Sequence, residues 1–355
     1  MIPSVHASAP GKIILMGEHA AVYGKPALVA ALGLRVRVDM AIGGSSVELI
    51  LGSLGYHHRC SWREITAYRE EKRVAWERFD LDAASDFTAV RGEDPAHVVK
   101  IALGEVLADL ALESPPFLRV AVESNLPVGS GFGSSAAVAV AVVAAALRLL
   151  AGEAEAARVA RLAMDVERRQ HGHPSGIDHE TVLRGGVVLL DSQMAATPVD
   201  VGDWARRDLA IYDTGSPAET TGEVVAAVRR HKDASPERFQ RMLDRMGQDV
   251  GRFQRLLEDT RPDAAVLQQV IADYQSCLET LGVVPVPVSH VLRRLAELGA
   301  AAKISGAGAL SGERAGCLLV YRRPEVKSRV DEILSGYSAV RAPIGAEGLS
   351  IEAAV

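Results

Sequence analysis

The segment PVGSGFGSSAA, residues 127–137, carries the strongest structural signal in the chain. It follows a strand pattern, FLRVAVES at 117–124, and precedes a long run of alanine and valine. Gly129, Gly131 and Gly133 allow positive φ angles and a close approach of the backbone to a ligand. Successive N–H groups in such a loop bind anions, together with the positive end of the following helix. The segment therefore predicts a phosphate-binding loop.

Two serines follow the last glycine of this loop. We expect Ser134 and Ser135 to cap the helix, and either hydroxyl could ligate Mg²⁺. The loop is not a Walker motif, because no lysine follows the glycines, and Ser134 stands where GxGxxG needs its third glycine. A flexible turn before a buried helix is the alternative. The double serine and the strand–loop–helix context favour phosphate binding.

Two carboxylates and a lysine are candidates for the chemistry. Glu167 ends an amphipathic helix predicted at 154–170, and Asp178 follows after HGHPSG, whose glycine and proline predict a tight, non-helical return. The carboxylates can therefore converge, one to hold Mg²⁺ and one to orient or deprotonate an attacking hydroxyl. Lys12, where a strand begins, is a candidate fixed charge beside Asp178. For each residue taken alone, an ordinary surface or turn role stays open.

Bulk properties exclude several classes of protein. A length of 355 residues predicts two domains. The net charge of -6 argues against a nucleic-acid or membrane-surface binder. The three cysteines lie in unrelated contexts, and the first residues lack the apolar core of a signal peptide, so we expect a cytoplasmic protein. The apolar run at 136–147 is too short to cross a bilayer and predicts a buried helix.

Hydrophobic periodicity predicts strands and helices intermixed in both halves, without the regular βαβ rhythm of a dinucleotide-binding sheet. We therefore expect two α+β domains, divided within 192–206 into residues 1–195 and 196–355. Segment 56–92 is charged and irregular and predicts an excursion over the surface. Strands are predicted at 34–42, 47–52, 117–124, 185–191, 208–215, 301–305 and 315–322, and helices at 96–111, 154–170, 218–231, 235–257, 262–281 and 289–299.

Three blocks in the expected order resemble the GHMP superfamily, named for galactokinase, homoserine kinase, mevalonate kinase and phosphomevalonate kinase. They are APGKIILMGEHAAVYGKPAL (9–28), PVGSGFGSSAA (127–137) and KISGAGALSGERAGC (303–317). HGHPSGIDHETVLRGG (171–186) and YDTGSPAETTGEVV (212–225) are most similar to the mevalonate kinase branch. The resemblance implies a left-handed βαβ first domain of the ribosomal-protein type, a ferredoxin-like second domain, and an active site between them.

The resemblance also implies the reaction, which is transfer of the γ-phosphate of ATP to the primary hydroxyl of mevalonate. ATP and mevalonate are then the small-molecule partners, with Mg²⁺ carried by the nucleotide and a homodimer left open. By position, Lys12 matches the active-site lysine and Asp178 the aspartate that faces the hydroxyl. Ser135 and Glu167 match the Mg²⁺ ligands.

Further residues match with less direct roles. Glu18 and His19 match residues near the nucleotide and the substrate respectively, and Thr220 matches a position near the acceptor. The residues that match the ATP phosphate loop are Gly129, Ser130, Gly131, Phe132, Gly133, Ser134 and Ser135.

Two departures from the family pattern leave the acceptor open. Residues 309–315 (ALSGERA) replace and lengthen the glycine run of GAGxGGC, and His179 stands where the branch has asparagine. Rival acceptors are phosphomevalonate, the tertiary hydroxyl of mevalonate and a sugar. A silent ligand-binding regulator should have lost the lysine or a carboxylate, whereas Lys12, Glu167 and Asp178 are all present. A decarboxylase of the same superfamily would lack the HGxPSGxD block.

Overall fold

The computed structural model describes residues 3–81, 87–127, 129–193 and 195–354, without the side chains of 353 and 354. Val128 of the glycine loop, residues 82–86 and Met194 of the expected domain boundary lie outside the described residues. The strands within the described ranges form two sheets. They are β1 (Ser4–Met16), β2 (Ala27–Ile42), β3 (Val47–Leu51), β4 (Tyr56–Cys60), β5 (Leu118–Ser124), β6 (Val187–Leu190), β7 (Ala196–Pro198), β8 (Leu209–Asp213), β9 (Ala301–Ser305), β10 (Cys317–Tyr321), β11 (Ser338–Val340) and β12 (Ser350–Ala354).

The helices occupy both halves of the described chain. They are α1 (Trp62–Leu81), α2 (Thr88–Arg91), α3 (His97–Leu110), α4 (Ser134–Ala151), α5 (Ala156–His171), α6 (Ile177–Arg184), α7 (Asp203–Asp208), α8 (Thr221–Ala234), α9 (Pro236–Glu258), α10 (Ala264–Thr280), α11 (Val286–Glu297) and α12 (Lys327–Ile333). The predicted mixture of helices and strands, the α+β fold, is confirmed.

The first sheet has the strand order β12-β1-β2-β5-β3-β4, with β6 joined to β2 and β7 to β6. β2 is long enough to serve two partners, because its first residues pair with β6 and its later residues with β5. β3 runs parallel to β5, and the other pairs are antiparallel. β12 pairs with β1, and Ser4 lies opposite Ala354. The end of the described chain thus completes the sheet that its beginning starts.

Helix α4 forms the centre of the first half. It packs on β1 and β2 and against α3 and α5, and its alanines and valines are buried from Ala136 to Leu147 with the exception of Val138. Small side chains allow this close approach to the sheet. By length and composition α4 is the one helix in the described part of the chain that could cross a membrane, but most of it is buried inside the protein. The prediction of a buried helix is confirmed.

The second sheet has the antiparallel order β11-β8-β10-β9. Its edge strand β9 lies against β1, and Ser305 Oγ donates a hydrogen bond of 2.8 Å to the carbonyl of Ile14. The two sheets therefore meet where β1 leads into the turn formed by Gly17, Glu18 and His19, called the GEH turn below. The division at 195/196 stays a proposal; β7 and β12, beyond that point, both belong to the first sheet.

Most predicted elements are confirmed with end shifts of up to three residues, but β2 begins at Ala27, seven residues before the predicted strand, and Lys12 lies inside β1 rather than at its beginning. The prediction that 56–92 is irregular is wrong. This segment contains β4 and the helices α1 and α2. α1 was missed because its sequence, WREITAYREEKRVAWERFDL, is rich in charge and only Ile65 and Lys72 of it are buried. A helix that buries so few residues shows no clear apolar stripe.

Candidate active site

The glycine loop joins β5 to α4, and its backbone has the conformation that the sequence predicts. Gly129, Gly131 and Gly133 have φ angles of 77°, 84° and 71°. The carbonyl of Phe132 accepts a hydrogen bond of 2.9 Å from the backbone N–H of Lys12 in β1. A Cβ atom on Gly133 would lie 2.7 Å from Cγ of Lys12. This hydrogen bond holds the loop against Lys12. Only glycine fits at position 133, because a larger residue would clash with the lysine side chain.

The expected serine caps are not observed. Gly133 is the N-cap of α4 and no side chain caps this helix within the described residues, because Ser134 and Ser135 already lie in its first turn. The N–H groups of that turn have no partner within the helix. They remain available to an anion, as the N-terminal end of a helix requires for phosphate binding.

Asp178 and Lys12 form an ion pair, with 3.0 Å between Lys12 Nζ and Asp178 Oδ1. The lysine side chain is 5% exposed and the aspartate 31%, so the pair is accessible from the carboxylate side. Asp178 lies in the first turn of α6, which Gly176 starts with a φ of 84°. The non-helical return after α5 therefore delivers the carboxylate to the lysine.

Glu167 lies beside this pair, in the last turns of α5, and is buried. Burial and then the charge of Asp178 raise the pKa of Glu167 to about 8, against the lowering effects of a hydrogen bond with Ser135 and of the charge of Lys12. Among the described residues, no hydrogen-bond partner is found for the buried Glu167 Oε1. Such burial favours the protonated form of the carboxyl group.

His171 joins the same cluster, although its place in the HGHPSG segment predicts only a turn residue. Its Nε2 lies 3.0 Å from Ser135 Oγ and 3.8 Å from Glu167 Oε2. Burial lowers the pKa of His171 to about 4, so the ring is neutral at neutral pH. The signal that could have found it is its position in the HGHPSG block, four residues after Glu167 on the same face of α5.

Glu18 and His19 lie deeper than the sequence suggests. Glu18 forms an ion pair with Lys303 of β9, and both side chains are almost fully buried. Burial raises the pKa of Glu18 against the attraction of Lys303, and burial lowers the pKa of Lys303. The Tyr274 hydroxyl donates a 2.9 Å hydrogen bond to the carbonyl of Glu18. Glu18 thus joins the turn after β1 to the second sheet, through a lysine whose role the sequence does not predict.

Comparison with known proteins agrees with this geometry. Residues 97–186, which contain the glycine loop, Glu167 and Asp178, match the family model for the N-terminal domain of GHMP kinases. The chain is 31% identical to a mevalonate kinase of Pyrococcus horikoshii over 99% of both chains, and 30% identical to one of Pyrococcus abyssi over 98% of both. The chain belongs to the GHMP kinase family.

The fold of this GHMP kinase is also that of a solved relative. A crystal structure of mevalonate kinase superposes with a TM-score of 0.75 at 18% identity, covering 96% of this chain and 99% of the other. The expected two-domain GHMP kinase fold is confirmed. At this identity the likeness concerns the fold alone.

His19 contacts the third block of the GHMP kinase. Its Nε2 lies 2.9 Å from the carbonyl of Ala307, and its φ of 59° is unusual for a residue other than glycine. Burial lowers the pKa of His19 to about 4. The hydrogen bond of the His19 ring therefore links the GEH turn to the loop after β9.

Thr220 stands apart from this cluster. It is exposed and forms the N-cap of α8, where its side chain accepts a hydrogen bond from the N–H of Glu223 and the Glu223 carboxylate binds back. No contact found within the described ranges joins Thr220 to the carboxylates or to Lys12. A role near the acceptor stays a proposal.

The altered third block still reaches the glycine loop. A Cβ on Gly316 would lie 3.1 Å from the carbonyl oxygen of Ser130, and one on Gly306 would lie 3.8 Å from Cα of Gly131. Within 309–315, Ser311 donates a 2.6 Å hydrogen bond to Glu219, and Arg314 packs over Gly215. The longer loop thus contacts the segment that leads to α8.

Proposed function

We propose that this GHMP kinase transfers the γ-phosphoryl group of ATP to the primary hydroxyl of mevalonate, giving 5-phosphomevalonate and ADP. The observation that carries the proposal is the Lys12–Asp178 ion pair beneath a glycine loop with positive φ angles. The choice of mevalonate rests on the relatives named mevalonate kinase, which align over almost the whole chain.

In this proposal the loop binds the phosphates of ATP. The loop residues from Gly129 to Ser135 present backbone N–H groups, and the uncapped first turn of α4 adds its positive end. Because phosphoryl transfer passes through a loose transition state, position and charge neutralisation contribute more than proton removal.

Asp178 is proposed to orient the mevalonate hydroxyl and to accept its proton late in the transfer. Lys12, 3.0 Å away, fixes the carboxylate and balances its charge. General-base assistance contributes about 10²–10⁴-fold to a rate. The exposed side of Asp178 is the side from which an alcohol can approach.

The donor set suits Mg²⁺, which prefers hard oxygen ligands and commonly uses one or two carboxylates together with substrate phosphates. Glu167 Oε1 is buried with no hydrogen-bond partner in the described part of the chain, and the Ser135 hydroxyl is close by. We propose these two residues as the protein ligands. When bound with the nucleotide, Mg²⁺ neutralises charge on the phosphate oxygens.

The decisive test is product identification. Purified protein is incubated with Mg·ATP and, separately, mevalonate, 5-phosphomevalonate, galactose or homoserine, and the product is analysed by phosphorus NMR. We expect ADP release that depends on mevalonate, with the new phosphate on the primary carbon. A preference for another acceptor, or a phosphate on the tertiary carbon, would contradict the assignment of the primary hydroxyl of mevalonate as the acceptor. The assignment as a kinase would still hold. ATP binding without turnover on any acceptor would contradict the proposal.

A further inference from the structure

A polar cavity lies in the C-terminal half and shares no lining residue with the cluster of Glu167 and Asp178. It has a volume of about 610 Å³, within the range of small-molecule sites. It lies over β8 and the edge strand β11, with α12 along one side. Two strands separate β11 from β9, so β11 lies roughly 14 Å from the edge of the sheet that meets β1.

The cavity is basic although the whole chain carries a net charge of -6. Asp331 is the only acidic residue among the described residues that line it. Its carboxylate is already bound by Arg322 and by the Tyr212 hydroxyl, which donates a 2.5 Å hydrogen bond. The cationic side chains that line it are Arg206, Arg207, Arg322, Lys327 and Arg341.

Two of these cations have no partner among the described residues. Arg207 is bound by Asp208 and Arg206 lies 3.5 Å from Asp203, whereas Lys327 and Arg341 have no side-chain ion pair or hydrogen bond within the described ranges. Both are exposed and line the same space. Cations that converge without a carboxylate to bind repel one another, and a multivalent anion removes that repulsion.

Small apolar side chains form the floor of the cavity. Ala339 of β11 lies opposite Tyr212 of β8 in the sheet, and Ala210 lies two residues before Tyr212, so the two alanines share a face. Methyl side chains leave room above the strands that larger residues would fill. A ligand with an anionic head and a short hydrocarbon part fits such a site.

We propose that this cavity binds a small phosphorylated or diphosphorylated organic molecule, at a site separate from the ATP loop. Lys327 and Arg341 bind the phosphate oxygens, and Arg322 supplies a third cation held in place by Asp331 and Tyr212. Arginine and lysine are the usual protein partners of phosphate. The alanine floor accepts the organic part.

The experiment is isothermal titration calorimetry with the active site filled by Mg²⁺ and a non-hydrolysable ATP analogue. The probes are inorganic diphosphate and butyl phosphate. We expect one site per chain for each probe in the wild-type protein. The double variant Lys327→Gln/Arg341→Gln should raise the dissociation constant of both probes by at least about tenfold, because each cation contributes a charge-assisted contact.

The matched control is Arg238→Gln/Arg329→Gln, which removes two exposed positive charges that do not line the cavity. It should change binding by less than about twofold if local contacts rather than net charge matter. Equal losses in the two double variants, or no binding to the wild type once the ATP site is filled, would overturn the proposal. Binding of diphosphate but not of butyl phosphate would overturn the organic-ligand part and leave a site for inorganic anions.

A third variant tests the floor. Ala339→Phe fills the space beside Tyr212 without changing charge. This substitution should weaken the binding of butyl phosphate more than the binding of inorganic diphosphate. The reverse order would contradict the assignment of the alanines to the organic part.

Discussion

Asp178 is the residue on which the proposed chemistry depends most directly. Asp178→Asn keeps the shape of the side chain but removes the charge that pairs with Lys12 and orients the hydroxyl. We expect kcat to fall by at least about 10²-fold, with little change in the KM for ATP. Steady-state kinetics with mevalonate as acceptor measure both.

Asp203→Asn is the control for this substitution, because Asp203 is fully exposed at the start of α7. It should leave kcat within about twofold of wild type. Turnover of Asp178→Asn close to that of the control would remove Asp178 from the reaction.

At this scale the sequence predicts part of the candidate site and misses the rest. The nearness of Lys12 and Asp178 follows from the resemblance, and the positive φ angles follow from the glycines. His171 and Lys303 are missed because their roles depend on contacts. His171 contacts Ser135, 36 positions earlier, and Lys303 contacts Glu18, 285 positions earlier. No local pattern encodes such distant pairs.

Helix α4 is the element that connects fold and site, and its two ends offer a matched pair of substitutions. Gly133 and Gly152 flank it with φ angles of 71° and 82°. An alanine at either position carries a conformational cost of about 1 kcal/mol. Only at Gly133 does the new Cβ meet Lys12, since Gly152 has no atom within 4 Å of that position.

Gly133→Ala should therefore reduce kcat/KM for ATP by at least about tenfold, because it displaces Lys12 and the loop carbonyl that accepts its N–H. Gly152→Ala should lower the free energy of unfolding by about 1 kcal/mol, its conformational cost alone, and leave kcat/KM unchanged. Kinetics and urea denaturation of both variants separate the two effects. Equal kinetic losses would show that helix stability, rather than the contact with Lys12, is responsible.

Elements with strong periodicity, such as α3 and α5, are predicted from the sequence within two residues at each end. α1 is not, since it exposes most of its surface and carries charge on all sides. β12 is not predicted either, because a short strand at a sheet edge is stabilised by its partner β1 rather than by its own pattern. Contacts with the rest of the fold, rather than the local sequence pattern, therefore determine the secondary structure of α1 and β12.

At the scale of the whole molecule, the buried pair of Glu18 and Lys303 joins the turn after β1 to β9 of the second sheet. Lys303→Met leaves a buried carboxylate without its partner and should lower the free energy of unfolding by about 3–5 kcal/mol. The double variant Glu18→Leu/Lys303→Met should lose less than the sum of the single variants, because it leaves no unpaired charge. Urea denaturation of the four proteins gives the coupling energy.

The control pair is Glu237 and Arg241 on α9, whose side chains are 93% and 72% exposed and lie 3.8 Å apart. Their alanine variants should couple by less than about 1 kcal/mol. Additive effects at Glu18 and Lys303 would contradict a buried ion pair.

The stability of the whole molecule should fall in mild acid. Burial lowers the pKa values of His19, His97 and His171 to about 4, against an ordinary value of 6.5. Between pH 6.5 and 4 the unfolded chain binds protons that the folded chain does not, so the free energy of unfolding decreases as pH falls. Each such histidine contributes a slope of up to about 1.4 kcal/mol per pH unit. Glu167, whose pKa is raised, acts in the opposite direction between pH 4.5 and 8.

His97→Gln isolates one of these contributions away from the carboxylate cluster. The slope of unfolding free energy against pH, measured by urea denaturation from pH 7.5 to 5, should become shallower than in wild type. His58→Gln changes an exposed histidine and should leave the slope as it is. An unchanged slope in His97→Gln would mean that this ring takes up a proton as readily in the folded protein as in the unfolded chain.

The return of β12 to β1 also affects the protein during its synthesis. β1 leaves the ribosome more than 300 residues before β12, its outer partner in the sheet. At about 5–20 residues per second, the interval is roughly 20–70 s. Throughout that time β1 has an unpaired edge, the kind of surface that recruits strands from other chains. Until β12 emerges, this edge is a site at which unfinished copies of the chain can pair with one another.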